Sequence, residues 1–255
     1  MKLKKTLIIT MFFAGVIFAT ALGFSQTDTD MSFEQASVCY GRGEYDKAVA
    51  VYEDILSGGV ESRSIYYNLG NAYFKLGAMG KAILNYERAK KIMPRDADLA
   101  ANIRLARSMI KGGKVVSERT IWDWYPVKVY SNNFSLNEIT IFSSGMYIAA
   151  ILLLILGVVN PNIKRKAIVI TIILFIFIAI NTLIMWRKDG GMGRDAVVIS
   201  SQTDALFGPF DSETKFFTLY EGVNCDVVRS KGEWCKIRRE DGKTGWVKKD
   251  EIEIV

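Results

Sequence analysis

Residues 167–186 read AIVITIILFIFIAINTLIMW, an uncharged run. At about 1.5 Å of helical rise per residue, that run is long enough to span the ~30 Å hydrocarbon core of a bilayer. Trp186 and Arg187 close it with the residue types that anchor at a membrane surface. A second apolar run precedes it, over 138–159, with no charge from Tyr147 to Val159. Ser135 followed by Glu138 has the capping-box spacing and predicts where that helix starts. Between the runs, residues 160–166 (NPNIKRK) read as a turn, and the Lys164-Arg165-Lys166 cluster places that turn in the cytoplasm. Two buried core helices are the alternative, but helices apolar on every face need a large protein around them. The flanks here are too small for that. Both flanking modules are then expected on the opposite side of the membrane.

The N-terminus supports the same topology. Lys2, Lys4 and Lys5 form a basic start, Leu7 to Ala19 an apolar core, and Ala21 and Gly23 a small-residue cleavage pattern. Residues 1–23 read as a secretory signal peptide cut after Gly23, with an uncleaved anchor helix as the alternative. The predicted residence is a bacterial inner membrane, with two spans and both soluble modules in the periplasm.

Composition narrows the chemistry. The chain of 255 residues has no histidine, which removes the usual general base and the commonest metal ligand. Its three cysteines, Cys39, Cys225 and Cys235, form no C-x-x-C pair. No nucleophile elbow, phosphate loop or acid/base pair is present, so no catalytic residue, cofactor or metal is expected. The net charge of +6 comes with no basic patch interleaved with aromatics, so no nucleic-acid partner is expected.

The N-terminal region is a repeat. Residues 43–48 (GEYDKA) align with 77–82 (GAMGKA) at an offset of 34, as do Tyr52 with Tyr86 and Ala36 with Gly70. That period and the residues Tyr66, Leu69, Gly70, Tyr73, Ala82, Tyr86, Ala89 and Pro94 resemble the tetratricopeptide repeat family. Small residues let paired helices approach, the tyrosines fill around them, and Pro94 stops the second helix. Residues 29–111 thus read as two repeats and a capping helix over 97–110. The resemblance implies a concave groove lined by Tyr40, Tyr67, Asn71, Phe74, Lys75 and Asn102 that binds protein or peptide ligands. Residues 112–137 form a linker with Trp122, Trp124, Tyr125, Tyr130 and Phe134. It suits interface anchoring or docking to a membrane neighbour.

Residues 195–255 read as short strands, with hairpin turns at 230–233 and at Asp241-Gly242. Gly208-Pro209, residues 219–222 (LYEG), 232–237 (GEWCKI) and 241–247 (DGKTGWV) resemble the bacterial SH3 family. The family's polar run before Gly-Pro is replaced by Ala205-Leu206-Phe207. Trp246 is expected in the core, and Tyr220 and Trp234 on a ligand surface or in a structural role. If Val228 faces Trp234, Cys225 and Cys235 are diagonal neighbours at ~7–8 Å, beyond comfortable disulfide reach.

The expected fold class is a multidomain membrane protein. It combines all-α tetratricopeptide helical hairpins, a two-helix transmembrane hairpin and an all-β SH3-like small barrel. That order, with the ending GWVKKDEIEI over 245–254, resembles the tetratricopeptide member of the bacterial Bat (aerotolerance operon) family. The resemblance implies a scaffold beside von Willebrand factor A membrane proteins and a MoxR-type ATPase. The alternative is an adaptor whose barrel binds peptidoglycan.

Overall fold

The computed structural model describes residues 30–110, 129–130, 133–188 and 194–255. The expected signal peptide and most of the aromatic linker lie outside these residues. The chain forms two compact units, Met1–Gly77 and Ala78–Val255.

The first unit holds helix α1 (described from 30 to 41), α2 (Tyr45–Ser57) and α3 (Arg63–Lys75). Ala36 and Ala48 are fully buried, and Tyr52, Ile65 and Leu69 are nearly so. The Ser37 and Tyr52 hydroxyls lie 3.1 Å apart, and the Tyr73 hydroxyl donates to Glu53. Ser62 caps α3 by accepting the Ile65 N–H. Cys39 is half-buried.

The second unit opens with α4 (Met79–Ile92) and α5 (Ala97–Met109), which pack together and are bridged by Arg107 and Glu87 at 2.7 Å. Asp96 caps α5 through the Leu99 N–H. The 34-residue repeat recurs in the backbone: Gly43 and Gly77 each take φ +79° at the turn before a helix, a conformation that favours glycine.

Helices α6 (Leu136–Val159) and α7 (Lys164–Lys188) form an antiparallel hairpin. Both are long and apolar enough to cross a membrane. Ser135 and Glu138 make the full capping box. The basic cluster falls in the first turn of α7, so the turn proper is residues 160–163. Ile139, Ala150, Ala167 and Ile184 are buried, whereas Ile151, Leu152, Ile172 and Ile173 face outward. A Cβ on Gly157 would lie 3.1 Å from that of Ala167, so the helices nearly touch at the turn. At the other end the Tyr130 hydroxyl donates to Asn181 Oδ1 at 2.6 Å. Arg95 pairs there with Glu138, and its guanidinium lies 5.1 Å from the Phe134 ring centre.

The C-terminal part is a seven-stranded antiparallel sheet: β1 (Arg194–Val198), β2 (Gln202–Leu206), β3 (Lys215–Tyr220), β4 (Asn224–Lys231), β5 (Trp234–Arg239), β6 (Thr244–Lys248) and β7 (Ile252–Ile254). The strand order is β3-β2-β6-β5-β4-β1-β7. Val198, Leu219, Cys225, Val227, Cys235, Ile237, Val247 and Ile252 build the core. Strands β2 and β7 were not expected. Strand β2 (QTDAL) has a single β-branched residue, Thr203, and no aromatic, and β7 has three residues. The β4–β5 register also differs. Gly232, at φ +59°, makes a two-residue turn that sets Lys231, not Val228, opposite Trp234. Cys225 therefore faces Arg239 and Cys235 faces Ser230, and both thiols are free.

Helix α4 lies against this sheet. The Gly80 N–H donates to Glu221 Oε1 at 2.7 Å. Arg88 Nη2 donates to Glu253 Oε1 at 2.9 Å and to the Ile254 carbonyl at 2.7 Å. Lys91 Nζ donates to the Val255 carbonyl at 2.8 Å. The fully buried Ile83 reaches Gly222, where an added Cβ would come within 2.7 Å of its Cδ1.

Candidate functional site

Helix propensity and period place the expected groove residues. On α3, Tyr67, Asn71, Phe74 and Lys75 follow the i, i+4, i+7, i+8 spacing of one helix face. The adjacent face carries the buried Ile65, Tyr66, Leu69, Ala72 and Tyr73. Tyr67, Asn71 and Phe74 are half-buried and Lys75 is exposed. Tyr40, at the end of α1, meets Tyr45 edge-on with ring centres 5.2 Å apart. Burial pushes the Tyr40 phenol above its ordinary pKa, and the neighbouring Tyr45, Tyr67 and Tyr52 phenols add to it. The Arg63 guanidinium lies 5.2 Å from the Tyr67 ring centre. The first unit thus gathers Tyr40, Tyr45 and Tyr67 into a tyrosine-rich surface suited to stacking and hydrogen bonding with a peptide. Asn102, half-buried on α5, belongs to the second unit.

On the barrel, the period of two decides which side chains face outward. Cys235 and Ile237 point inward on β5, so Trp234 and Lys236 point out. On β6, Gly245 and Val247 point inward. Trp246, expected in the core, therefore lies half-buried on the outer face, opposite Lys236 and Leu206. The inner side at this point has no room for bulk, since a Cβ on Gly245 would be 2.8 Å from that of Ala205.

An open groove of about 330 Å³ runs along this face, lined among others by Asp204, Leu206, Asp211, Trp234, Lys248 and Glu251. Trp234 is part of it. Tyr220, beside Gln202 on β3, is half-buried and does not line it. The Lys248 ammonium lies 5.6 Å from the Trp234 ring centre and 2.8 Å from Asp211 Oδ1. That hydrogen bond is the main reason its pKa is raised. A hydrogen bond from Lys215, 2.9 Å away, chiefly holds the Asp204 carboxyl below its usual range. Glu251 accepts the Thr203 hydroxyl and the Lys248 N–H. Beside the groove Phe207 stacks on Phe216 at 4.6 Å, and Lys231 lies 5.4 Å from the Phe210 ring centre. The sequence flagged Trp234 but not Asp204, Asp211 or Lys248, which only the fold brings together. The replacement run Ala205-Leu206-Phe207 was the available signal for an apolar rim.

Residues 64–96 match the tetratricopeptide repeat family, and residues 210–253 match the bacterial SH3 domain family. The chain carries both modules. No curated protein matches the chain at a significant level. Modules of these two kinds serve protein binding or, for the bacterial SH3 domain, attachment in the cell envelope.

Proposed function

We propose that this protein is a non-enzymatic adaptor of the bacterial inner membrane, its tetratricopeptide and SH3-like modules recruiting protein partners on the periplasmic side. One observation carries the reading. Helix α4 of the repeat contacts β1 and β7 of the barrel, although α6 and α7 intervene in the chain. Two modules that touch lie on one side of any bilayer those helices cross. The lysines and arginine of 164–166 favour the cytoplasm for the far end of the hairpin. The expected signal peptide agrees with this orientation. The Bat-family resemblance supports a BatE-like scaffold in a complex with von Willebrand factor A membrane proteins and a MoxR-type ATPase.

Two measurements test it. Cysteines introduced at Glu34, Lys164 and Lys243, all exposed, are probed with a membrane-impermeant maleimide in cells with a permeabilised outer envelope. Labelling at 34 and 243 but not 164 is expected, and labelling at 164 alone refutes the orientation. Purification of the full chain from cross-linked membranes should recover von Willebrand factor A proteins, less so after Tyr67→Ala. Recovery of wall fragments in their place favours the peptidoglycan-binding alternative.

A further inference from the structure

We propose that the groove beside Trp234 is a subsite for a lysine side chain of an extended protein segment, and that Lys248 of the chain itself fills this subsite when no partner is bound. The proposal rests on reading the barrel as a partner-binding module. It goes further by naming what the groove takes and what must leave.

The chain already demonstrates the site's preference. An ammonium group lies over the Trp234 ring and on the Asp211 carboxylate, and it belongs to Lys248. An aromatic face beside a carboxylate is a cation site, since the ring quadrupole and the anion both attract positive charge. A second ammonium, from Lys231, lies near the Phe210 ring a short way along the same surface. The other groove carboxylates are more committed: Asp204 is held by Lys215 and Thr218, and Glu251 by Thr203 and the Lys248 backbone. Asp211 is 79% exposed and bonded to a side chain that is itself 44% exposed. Ion pairs this exposed contribute little. A ligand ammonium can therefore replace Lys248 with no net change in charge at the site, and the freed lysine swings into water.

Exchange of one amine for another supplies no affinity by itself. The surroundings supply it. Phe207, Phe210 and Phe216 are 60%, 56% and 42% exposed beside the groove. Exposed aromatic rings of this size, bordered by lysines, are the composition of a protein-binding surface. They suit apolar side chains on either side of the incoming lysine. The three exposed phenylalanines beside the groove favour a protein segment with apolar side chains over the wall polymer.

The test uses the full chain in lipid nanodiscs. A random-peptide phage library is panned on it, and the best peptide is compared with its lysine-to-norleucine version by fluorescence polarisation. The expected result is enrichment of lysine flanked by apolar residues, with about tenfold weaker binding for the norleucine peptide on Lys248→Met, where no internal amine has to leave, and a smaller loss on the wild type. Lys248→Met removes the internal competitor and should tighten binding several-fold. Asp211→Asn, at a position too exposed to affect folding, should weaken it. Peptides that bind through Trp234 without preferring lysine, or equal binding by Lys248→Met, overturn the lysine subsite while leaving the module reading intact. Absence of any Trp234-dependent peptide, with retention of the chain on purified wall sacculi, overturns the module reading itself.

Discussion

The contact between α4 and the barrel hinges on a missing side chain. A Cβ on Gly80 would fall 2.6 Å from the Val198 carbonyl oxygen, 2.7 Å from Glu221 Cγ and 3.1 Å from Ile199 Cα. Two of these three neighbours are backbone atoms. The Val198 carbonyl is also fixed, since it accepts the Gly222 N–H at 2.8 Å. Glu221 is tied in place by its own bond to the Gly80 N–H. Gly80→Ala therefore requires the 198–222 corner of the barrel to shift by about half an ångström or more, an overpacking strain that typically costs about 1–3 kcal/mol. Against this, alanine favours a helix interior by up to ~1 kcal/mol, and less in the first turn where Gly80 sits. The expected net loss is about 1–2 kcal/mol, which corresponds to roughly a 5–30-fold rise in the opened population. Hydrogen–deuterium exchange of the full chain in nanodiscs reads this directly: amides over 79–92 and 219–224 should exchange faster by that factor. Gly41→Ala adds the same methyl with no atom within 4 Å. It should leave those amides unchanged. If Gly80→Ala exchanges like the wild type, α4 and the barrel are not in contact in solution.

Four further outcomes are expected. Gly157→Val pushes α6 and α7 apart near their turn, because even a single methyl there meets Ala167 at 3.1 Å; a lower melting temperature in detergent checks it, and no change refutes close packing. Asn181→Leu removes the acceptor of Tyr130 and should lower stability by about 0.5–1.5 kcal/mol, the range of such bonds among membrane helices; melts of Asn181→Leu, Tyr130→Phe and the double variant should show one shared loss. Burial pushes the Cys225 thiol up to about 12, from an unfolded value near 9.0. Because the folded value is the higher one, stability holds below the unfolded value and declines as pH rises from there toward the folded value; iodoacetamide should spare Cys225 at neutral pH until the barrel unfolds. Asp241 is held below its ordinary value chiefly by its hydrogen bond from Arg239. Its contribution is present above the ordinary aspartate pKa and is lost as pH falls through the depressed one, so Asp241→Asn should flatten the acid limb of a barrel melting profile.

Some of this structure could be read in the residues because local rules sufficed. The glycines at 43 and 77 recur at the repeat spacing and adopt the same backbone angle. Ser135 and Glu138 form the cap their spacing foretells. Trp234 and Cys235 alternate out and in as a strand requires. Other features depend on distant parts of the chain. Trp246 looks like core by size, but the inward position beside it is too tight for anything larger than glycine. The cysteine register followed from a two-residue turn, Gly232-Glu233, in place of the longer turn expected over 230–233. Lys248 and Asp211 meet only because the loop after β2 folds back over β6. The seat of α4 on the barrel depends on Gly80, whose contribution is the atom it lacks.

That seat also imposes an order in time on biogenesis. The ribosome completes α4 long before it reaches residues 198–255, and both apolar helices are synthesised in between. Until the last strands emerge and fold, Ile83 and the polar arms of Arg88 and Lys91 have no barrel to receive them. A nascent chain halted after α7 would therefore present a sticky helix to its surroundings, an open invitation to chaperones and proteases at the membrane. Folding of the barrel is thus what covers the exposed face of α4.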